Sequence, residues 1–294
     1  MYTDGAFCSA DRPNIFASTQ AFNYGTAAFE GMKVYYRPSA GEWYLFRPDL
    51  HYARLMRSAG AIDIKVPLTY EDFVEVINPL IMKCKIRSDC YIRPLVYRKA
   101  RGVGLTRPSE AGISIFVQAS PPKRWRIYRC VLVPQRRPTD GSYAIKLSGN
   151  YVLSFMAQQE AIRQGADTGI LLSSDGYLSE ATVMNLFFVS GGRLYTPSLA
   201  CGALDGITRR SIIELAKREL GIKTIEGKFR PGQLAAADEA LLCGTGSGIN
   251  EVSSFGSRSF DLHRKNRLTP VIQSLYRAIC RGRLRGYEDW LVSV

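Results

Sequence analysis

Lys146 stands in Ala144-Ile-Lys-Leu-Ser-Gly-Asn-Tyr151, a nearly uncharged segment of an otherwise basic chain. A lysine amine acts as a nucleophile or proton carrier where burial or a neighbouring cation lowers its affinity for the proton. Taken alone, this one reads as a surface residue. Glu180, 34 residues further on (180 − 146), follows an Asp175-Gly176 turn and precedes the apolar run Asn185-Leu-Phe-Phe-Val. Alone, it reads as a solvated hairpin carboxylate. Gly206-Ile-Thr-Arg209 opens a helical pattern, where free N–H groups and the helix dipole favour a phosphate. Gly244-Thr-Gly-Ser-Gly248 lies between an apolar strand and Ile249 and is a second backbone-rich loop suited to an anion. An amine, a carboxylate and two anion-binding loops are the groups able to do chemistry. His51 and His263 are the only histidines, which argues against a Ser-His-Asp triad or a histidine metal cluster; no metal is expected.

The elements that must position these groups follow from periodicity and turn residues. Gly41-Glu-Trp-Tyr-Leu-Phe46 reads as a strand, and Pro48-Asp-Leu opens a helix. Thr69-Tyr-Glu-Asp72 is a capping box ahead of Phe73, Val74, Val76 and Ile77. Residues 91–97 and 113–117 read as strands. Turns at Asp175-Gly176 and Gly191-Gly192 mark hairpins. A helix is predicted from Thr208 to Leu220, with Ile212, Ile213, Ala216 and Leu220 on one face and Gly221 at its end. Gly149-Asn150 leads into another helix. Pro121-Pro-Lys-Arg-Trp125 is short, basic and proline-led, and marks a linker. The expected organisation is α+β in two parts: residues 1–118, a linker over 119–127, and residues 128–294.

The 294 residues, 46% hydrophobic and 22% charged, have the composition of a globular protein. No apolar run reaches the roughly 18 residues of a membrane span, and no secretory signal opens the chain, so a cytoplasmic protein is expected. The seven cysteines form no C-x-x-C pair and read as reduced, mostly buried thiols. A net charge of +13 raises the question of nucleic acid, but the excess is arginine scattered along the chain with no nucleic-acid motif around it. No nucleic-acid or membrane partner is expected.

Together these segments resemble the fold-type IV pyridoxal-phosphate enzymes, and within them the branched-chain amino acid aminotransferases. The resemblance starts at Phe22-Asn-Tyr-Gly-Thr-Ala-Ala-Phe-Glu-Gly-Met-Lys33 and continues through His51-Tyr-Ala-Arg-Leu55 and Tyr91-Ile-Arg-Pro-Leu95. It runs on through Lys146–Tyr151, Tyr177–Phe187 and Leu204-Asp-Gly-Ile-Thr-Arg209, to Cys243-Gly-Thr245 and Pro270-Val-Ile-Gln273 to Trp290. It implies a D-amino acid aminotransferase-like fold, a small α/β domain followed by a larger, β-barrel-like cofactor domain.

The same resemblance implies pyridoxal 5'-phosphate as cofactor, amino acid and 2-oxo acid substrates, and a homodimer with the active site at the subunit interface. Lys146 would form the aldimine and shuttle the proton. Glu180 would face the pyridine nitrogen, Tyr151 the ring hydroxyl, and Leu204 the ring face. Arg54, Gly206, Ile207, Thr208 and Thr245 would hold the phosphate. Tyr91, Thr245 and Gly246 match positions that receive the α-carboxylate, and Arg93 and Tyr24 those that take the side-chain carboxylate of glutamate. Phe29, Tyr24 and Tyr151 would wall an apolar pocket, and Leu105 would reach in from a partner subunit. Three features depart from the family. The linker after Ser120 lacks the usual aromatic-glycine-Ala-Tyr segment, so that wall is missing or replaced by Trp125 or Tyr128. The usual Gly-Thr-Ala is Gly244-Thr-Gly-Ser. The chain begins almost directly at the first strand. Other activities on the same fold stay open: D-amino acid or (R)-amine transamination, aminodeoxychorismate lyase, or a specialised biosynthetic aminotransferase. The Tyr91-Ile-Arg93 pair and the Phe29-Glu-Gly motif favour the branched-chain branch.

Overall fold

The computed structural model describes residues 1–9, 11, 15–105, 109–122 and 125–294. Lys123 and Arg124, at the centre of the expected linker, lie outside the described residues. The chain divides into two compact units. One comprises Met1–Pro122, Ile145–Asn150 and Cys280–Val294; the other comprises Lys123–Ala144 and Tyr151–Ile279. Residues 145–150 and 280–294 thus return to the first unit, whereas a single linker at 119–127 would assign them to the second.

Strands β1 (Tyr2–Thr3), β2 (Ala6–Phe7), β3 (Ala27–Phe29), β4 (Met32–Arg37), β5 (Glu42–Phe46), β6 (Cys90–Arg98) and β7 (Ala111–Ala119) belong to the first unit. The second holds β8 (Ile127–Arg137), β9 (Thr168–Ser173), β10 (Leu178–Ala181), β11 (Asn185–Ser190) and β12 (Arg193–Pro197). It continues with β13 (Ile225–Gly227), β14 (Glu239–Gly244), β15 (Gly248–Phe255) and β16 (Arg258–Ser259). Strand β17 (Leu291–Ser293) closes the chain and belongs to the first unit. The helices are α1 (Gln20–Tyr24), α2 (Pro48–Gly60), α3 (Tyr70–Lys83), α4 (Tyr151–Arg163), α5 (Ile207–Leu220), α6 (Pro231–Ala235) and α7 (Leu268–Cys280).

The first unit is a sheet in the order β17-β5-β4-β6-β7-β1-β2, with β3 also on β6. Helix α2 opens with Pro48 in its first turn, and α3 opens with the expected capping box, Asp72 N–H donating to Thr69 Oγ1 at 3.2 Å. Phe73, Ile77, Leu80 and Ile81 recur at helical spacing and bury against Met32, Val34, Leu45 and Ile92 of the sheet. Residues 145–150 lie along β3: Phe29 N–H donates to the Lys146 carbonyl at 3.1 Å, and Ser148 N–H to the Ala27 carbonyl at 2.8 Å. The crossing needs glycine on one side. Gly25 has φ +66°, and a Cβ there would lie 2.8 Å from Gly149 Cα.

In the second unit β10 pairs with both β9 and β11. This closes β8, β9, β10, β11, β14 and β15 into a six-stranded ring, the barrel-like sheet that the resemblance implies for the larger domain. Its hydrophobic interior includes Ile170, Leu178, Leu186, Phe188, Leu242 and Val252. Strands β8 and β9 are parallel and joined through α4, which packs Ala157 and Ala161 on Val133 and Leu171. Helix α5 ends at Gly221, left-handed with φ +64°, where the sequence places its end. Cys90, Cys130, Cys201, Cys243 and Cys280 are buried; Cys8 and Cys84 are exposed. No helix among the described residues is long and apolar enough to cross a membrane.

Candidate active site

In the first unit, Lys146 comes off the segment laid along β3, and its Nζ lies 4.6 Å from the centroid of the Phe29 ring. Ser58 on α2 accepts a hydrogen bond from its backbone N–H at 2.9 Å. Burial, and then the nearby Arg54 guanidinium, pull the ammonium down to about 8. Arg54 is itself buried and gripped by Glu30, with Nε to Oε1 at 2.6 Å and Nη2 to Oε2 at 2.8 Å. His51, one turn earlier on α2, meets Glu30 Oε2 through Nδ1 at 2.8 Å. Burial opposes charge on Glu30, but Arg54 and His51 overcome it and hold the carboxyl well below its ordinary range. Burial keeps His51 neutral despite Glu30, so its Nδ1–H donates to the carboxylate; Nε2 is buried with no hydrogen-bond partner among the described residues. Glu30 and His51 were not singled out as site residues in the sequence, although both lie in motifs that carry the resemblance.

Arg93 and Tyr91 project from β6. The Arg93 guanidinium sits 4.5 Å from the Phe29 centroid and donates to the Tyr91 hydroxyl at 2.7 Å. A Cβ on Gly31 would collide with that hydroxyl, which gives the glycine of Phe29-Glu-Gly31 its reason. Tyr24 is placed differently: its hydroxyl accepts from Gly104 N–H at 3.0 Å, while Gln20 Nε2 donates to the Gly104 carbonyl at 2.8 Å. Tyr24 is therefore tied to the loop that carries Leu105, and both side chains are exposed.

In the second unit, Glu180 on β10 is buried. Its Oε1 faces Arg137 Nη2 at 3.1 Å, and Oε2 accepts from Asn185 Nδ2 and from Leu204 N–H, both at 3.1 Å. Asn185 also donates to the Leu204 carbonyl at 2.8 Å, so one amide braces carboxylate and loop together. Gly206 caps α5 without a side chain of its own, and a Cβ there would strike Asn185 Oδ1. Ile207 and Thr208 open the helix, both buried. Tyr151 heads α4, half-buried. Thr245 and Gly246 form, with Ser247, the turn between the paired Gly244 and Gly248. Of the two aromatic candidates for the altered wall, Tyr128 is buried in the barrel core, whereas Trp125 lies beside this turn. Arg137 and Asn185, which hold Glu180, do not stand out in the sequence. Asn185 could have been found by its place next to Glu180 across the hairpin, which the register pairs directly.

These residues fit pyridoxal phosphate. In the first unit a lysine amine of lowered proton affinity suits an aldehyde; in the second a buried, fixed carboxylate suits a pyridinium, and a helix N-terminus stripped of side-chain capping suits a phosphate. Residues 27–255 match the family described as amino-transferase class IV. The chain is 30% identical over 298 residues to the probable branched-chain-amino-acid aminotransferase of Aquifex aeolicus (strain VF5), covering 100% of this chain and 96% of that protein. It is 31% identical over 310 residues to the branched-chain-amino-acid aminotransferase of Escherichia coli (strain K12), covering 100% and 97%. Among solved structures, the branched-chain aminotransferase of Thermoproteus uzoniensis with norvaline matches with a TM-score of 0.92 at 31% identity, over 99% of this chain and 98% of that one. The fold and the family match therefore define a fold-type IV, pyridoxal-phosphate-dependent aminotransferase. The chain belongs to the class IV aminotransferase family.

Proposed function

We propose that the protein exchanges the amino group of a branched-chain or similar apolar L-amino acid with 2-oxoglutarate, in the cytoplasm and as a homodimer. The observation that carries this reading is the Phe29 ring, which has the Lys146 amine 4.6 Å and the Arg93 guanidinium 4.5 Å from its centroid. An aromatic wall suits an aliphatic side chain, and one cation at that wall suits the distal carboxylate of glutamate. The names of the relatives point the same way.

Lys146 is the residue that would hold the cofactor. Its Nζ, neutral above about pH 8, would take the proton from the substrate Cα and pass it to the cofactor carbon that keeps the amino group. Bound pyridoxal phosphate supplies an electron sink for the bond being broken, and the anionic Glu180 would keep the ring nitrogen protonated. Arg54, held square by Glu30, would pair with the phosphate alongside Gly206, the Ile207 N–H, the Thr208 hydroxyl and Thr245. Leu204 would cover the ring and Tyr151 would bond its hydroxyl. Tyr91, Thr245 and Gly246 would receive the α-carboxylate.

Leu105 would complete the pocket of a partner subunit. Tyr24, bonded to Gly104, would travel on the same loop, so its share in binding the glutamate carboxylate would fall in the partner's pocket. The outer face of α4, with Val152, Phe155 and Met156 exposed, offers apolar surface to a second copy. A panel of amino donors with 2-oxoglutarate, read by oxo acid formation, tests the reading. Turnover of leucine, isoleucine and valine is expected; turnover confined to D-amino acids or amines would overturn it.

A further inference from the structure

The turn that carries Thr245 and Gly246 has glycine at 244, 246 and 248, the last with φ +71°. Three glycines in five residues give such a turn many backbone conformations, and N–H groups that must face an anion need to be held from outside. Asn250, buried on β15, does this. Its Nδ2 donates to the Ser247 carbonyl at 2.9 Å, and its Oδ1 accepts from Arg126 N–H at 3.1 Å. The segment entering β8 is thereby bonded, through one amide, to the turn. Its neighbour Trp125 covers the far end: a Cβ on Gly248 would touch Trp125 Cζ3 at 3.6 Å. Helix α7 backs the assembly, with the Arg277 guanidinium 4.3 Å from the Trp125 centroid and Gln273 Nε2 donating to the Ile249 carbonyl at 3.1 Å.

We propose that Asn250 and Trp125 are positioning residues for the Thr245–Ser247 turn, so that the segment entering β8 sets how tightly the enzyme holds the α-carboxylate of its substrate; this rests on the assignment of Thr245 and Gly246 to that carboxylate. Trp125 and Arg126, at the entry to β8, are then the fixed point against which a glycine-rich turn is held.

The test is equilibrium binding to the holoenzyme, followed by the cofactor's absorbance, of 4-methylpentanoate and its uncharged analogue 4-methylpentanamide. A merely structural change weakens both alike, whereas a mispositioned turn weakens only the carboxylate. Asn250→Ala should lose about five- to tenfold in carboxylate affinity with the amide nearly unchanged, the size expected for hydrogen bonds that orient a charged contact. Trp125→Ala should shift the ratio in the same direction and carries the test if Asn250→Ala does not fold. Thr245→Val is measured alongside. If it erodes the preference for carboxylate while the Asn250 and Trp125 variants do not, the positioning role is overturned and the assignment of the turn stands. If none of the variants moves the preference, the assignment falls and the proposal with it.

Discussion

Arg137 and Glu180 form a buried ion pair, Nη2 to Oε1 at 3.1 Å, between β8 and β10 of the barrel. The pair leaves Oε2 to Asn185 and Leu204, so the carboxylate is fixed on both oxygens. Arg137 is in turn placed by Ser154 Oγ at 3.0 Å and by the Tyr143 ring. A carboxylate held this way presents the same charge in every turnover, as preorganised electrostatic catalysis requires.

Glu180→Gln nearly preserves shape and removes the charge. The expected loss is in kcat, on the order of a hundredfold, with KM little changed, because the charge is needed most as the transition state develops. Steady-state kinetics on the loaded protein check this, and an unchanged kcat would remove Glu180 from the mechanism. The variant also leaves Arg137 unpaired, and breaking one half of a buried pair costs about 3–5 kcal/mol of stability. Glu180→Gln combined with Arg137→Met should be less destabilised than the sum of the singles in a denaturant double-mutant cycle.

Lys146→Ala should abolish the visible absorbance that develops when the cofactor-free protein is mixed with pyridoxal phosphate. Borohydride reduction followed by peptide mapping should find the pyridoxyl group on Lys146; an adduct on another lysine would refute the assignment. With the lysine at about 8, the rate of that absorbance change should rise through a midpoint near pH 8, while an ordinary lysine would still be rising past pH 10. The same shift links to stability. Between about 8 and 10.5 the unfolded chain binds the extra proton, so the cofactor-free protein should gain stability as pH rises through that window. Lys146→Met should flatten that gain.

Much of this was legible because it is local. The Thr69–Asp72 box, Phe73 and Ile77 of the apolar series after it, the glycine hairpins and the Gly221 stop are each decided within a few residues of sequence, whereas Val74 and Val76 of that series are only partly buried. Strand β8 was not legible: Pro134, Arg129, Arg136 and Arg137 disguise an edge-like pattern, and the ladder with β9 shifts register between Leu132 and Arg136. Arg137 is buried only because the ring closes and brings Glu180 to it. Glu30 stood in plain view in a motif, but its work depends on Arg54 and His51 on another element, a distance in sequence that no periodicity spans. The return of residues 145–150 to the first unit is equally non-local.

Glu30→Gln should act on two observables. Arg54 loses its bidentate partner, so affinity for pyridoxal phosphate should fall while affinity for pyridoxal, which has no phosphate, should not. The negative charge of Glu30 also works to raise the proton affinity of Lys146, against burial and Arg54. Removing it should move the pH midpoint of absorbance development below 8. A midpoint that stayed put would mean that the buried cluster does not reach the amine. Glu30→Asp should recover part of both effects.

Arg93 separates the two halves of the reaction. Its guanidinium donates to Tyr91 and lies on Phe29, and its Nε is buried without a hydrogen-bond partner among the described residues, so the group is costly to keep unless a substrate anion uses it. Arg93→Met retains length and apolar volume and removes the charge. If Arg93 binds the distal carboxylate of glutamate, that half-reaction should lose about 1.5–3 kcal/mol, roughly ten- to a hundredfold in kcat/KM. Leucine and valine never meet the charge and should lose little beyond what a freed Tyr91 costs the α-carboxylate that every substrate shares. Single-turnover conversion of the loaded enzyme by each amino acid in turn measures the two losses separately. Equal losses would assign Arg93 to the common end of the site, through Tyr91, and the aromatic wall would then serve aliphatic and acidic side chains without a cation to tell them apart.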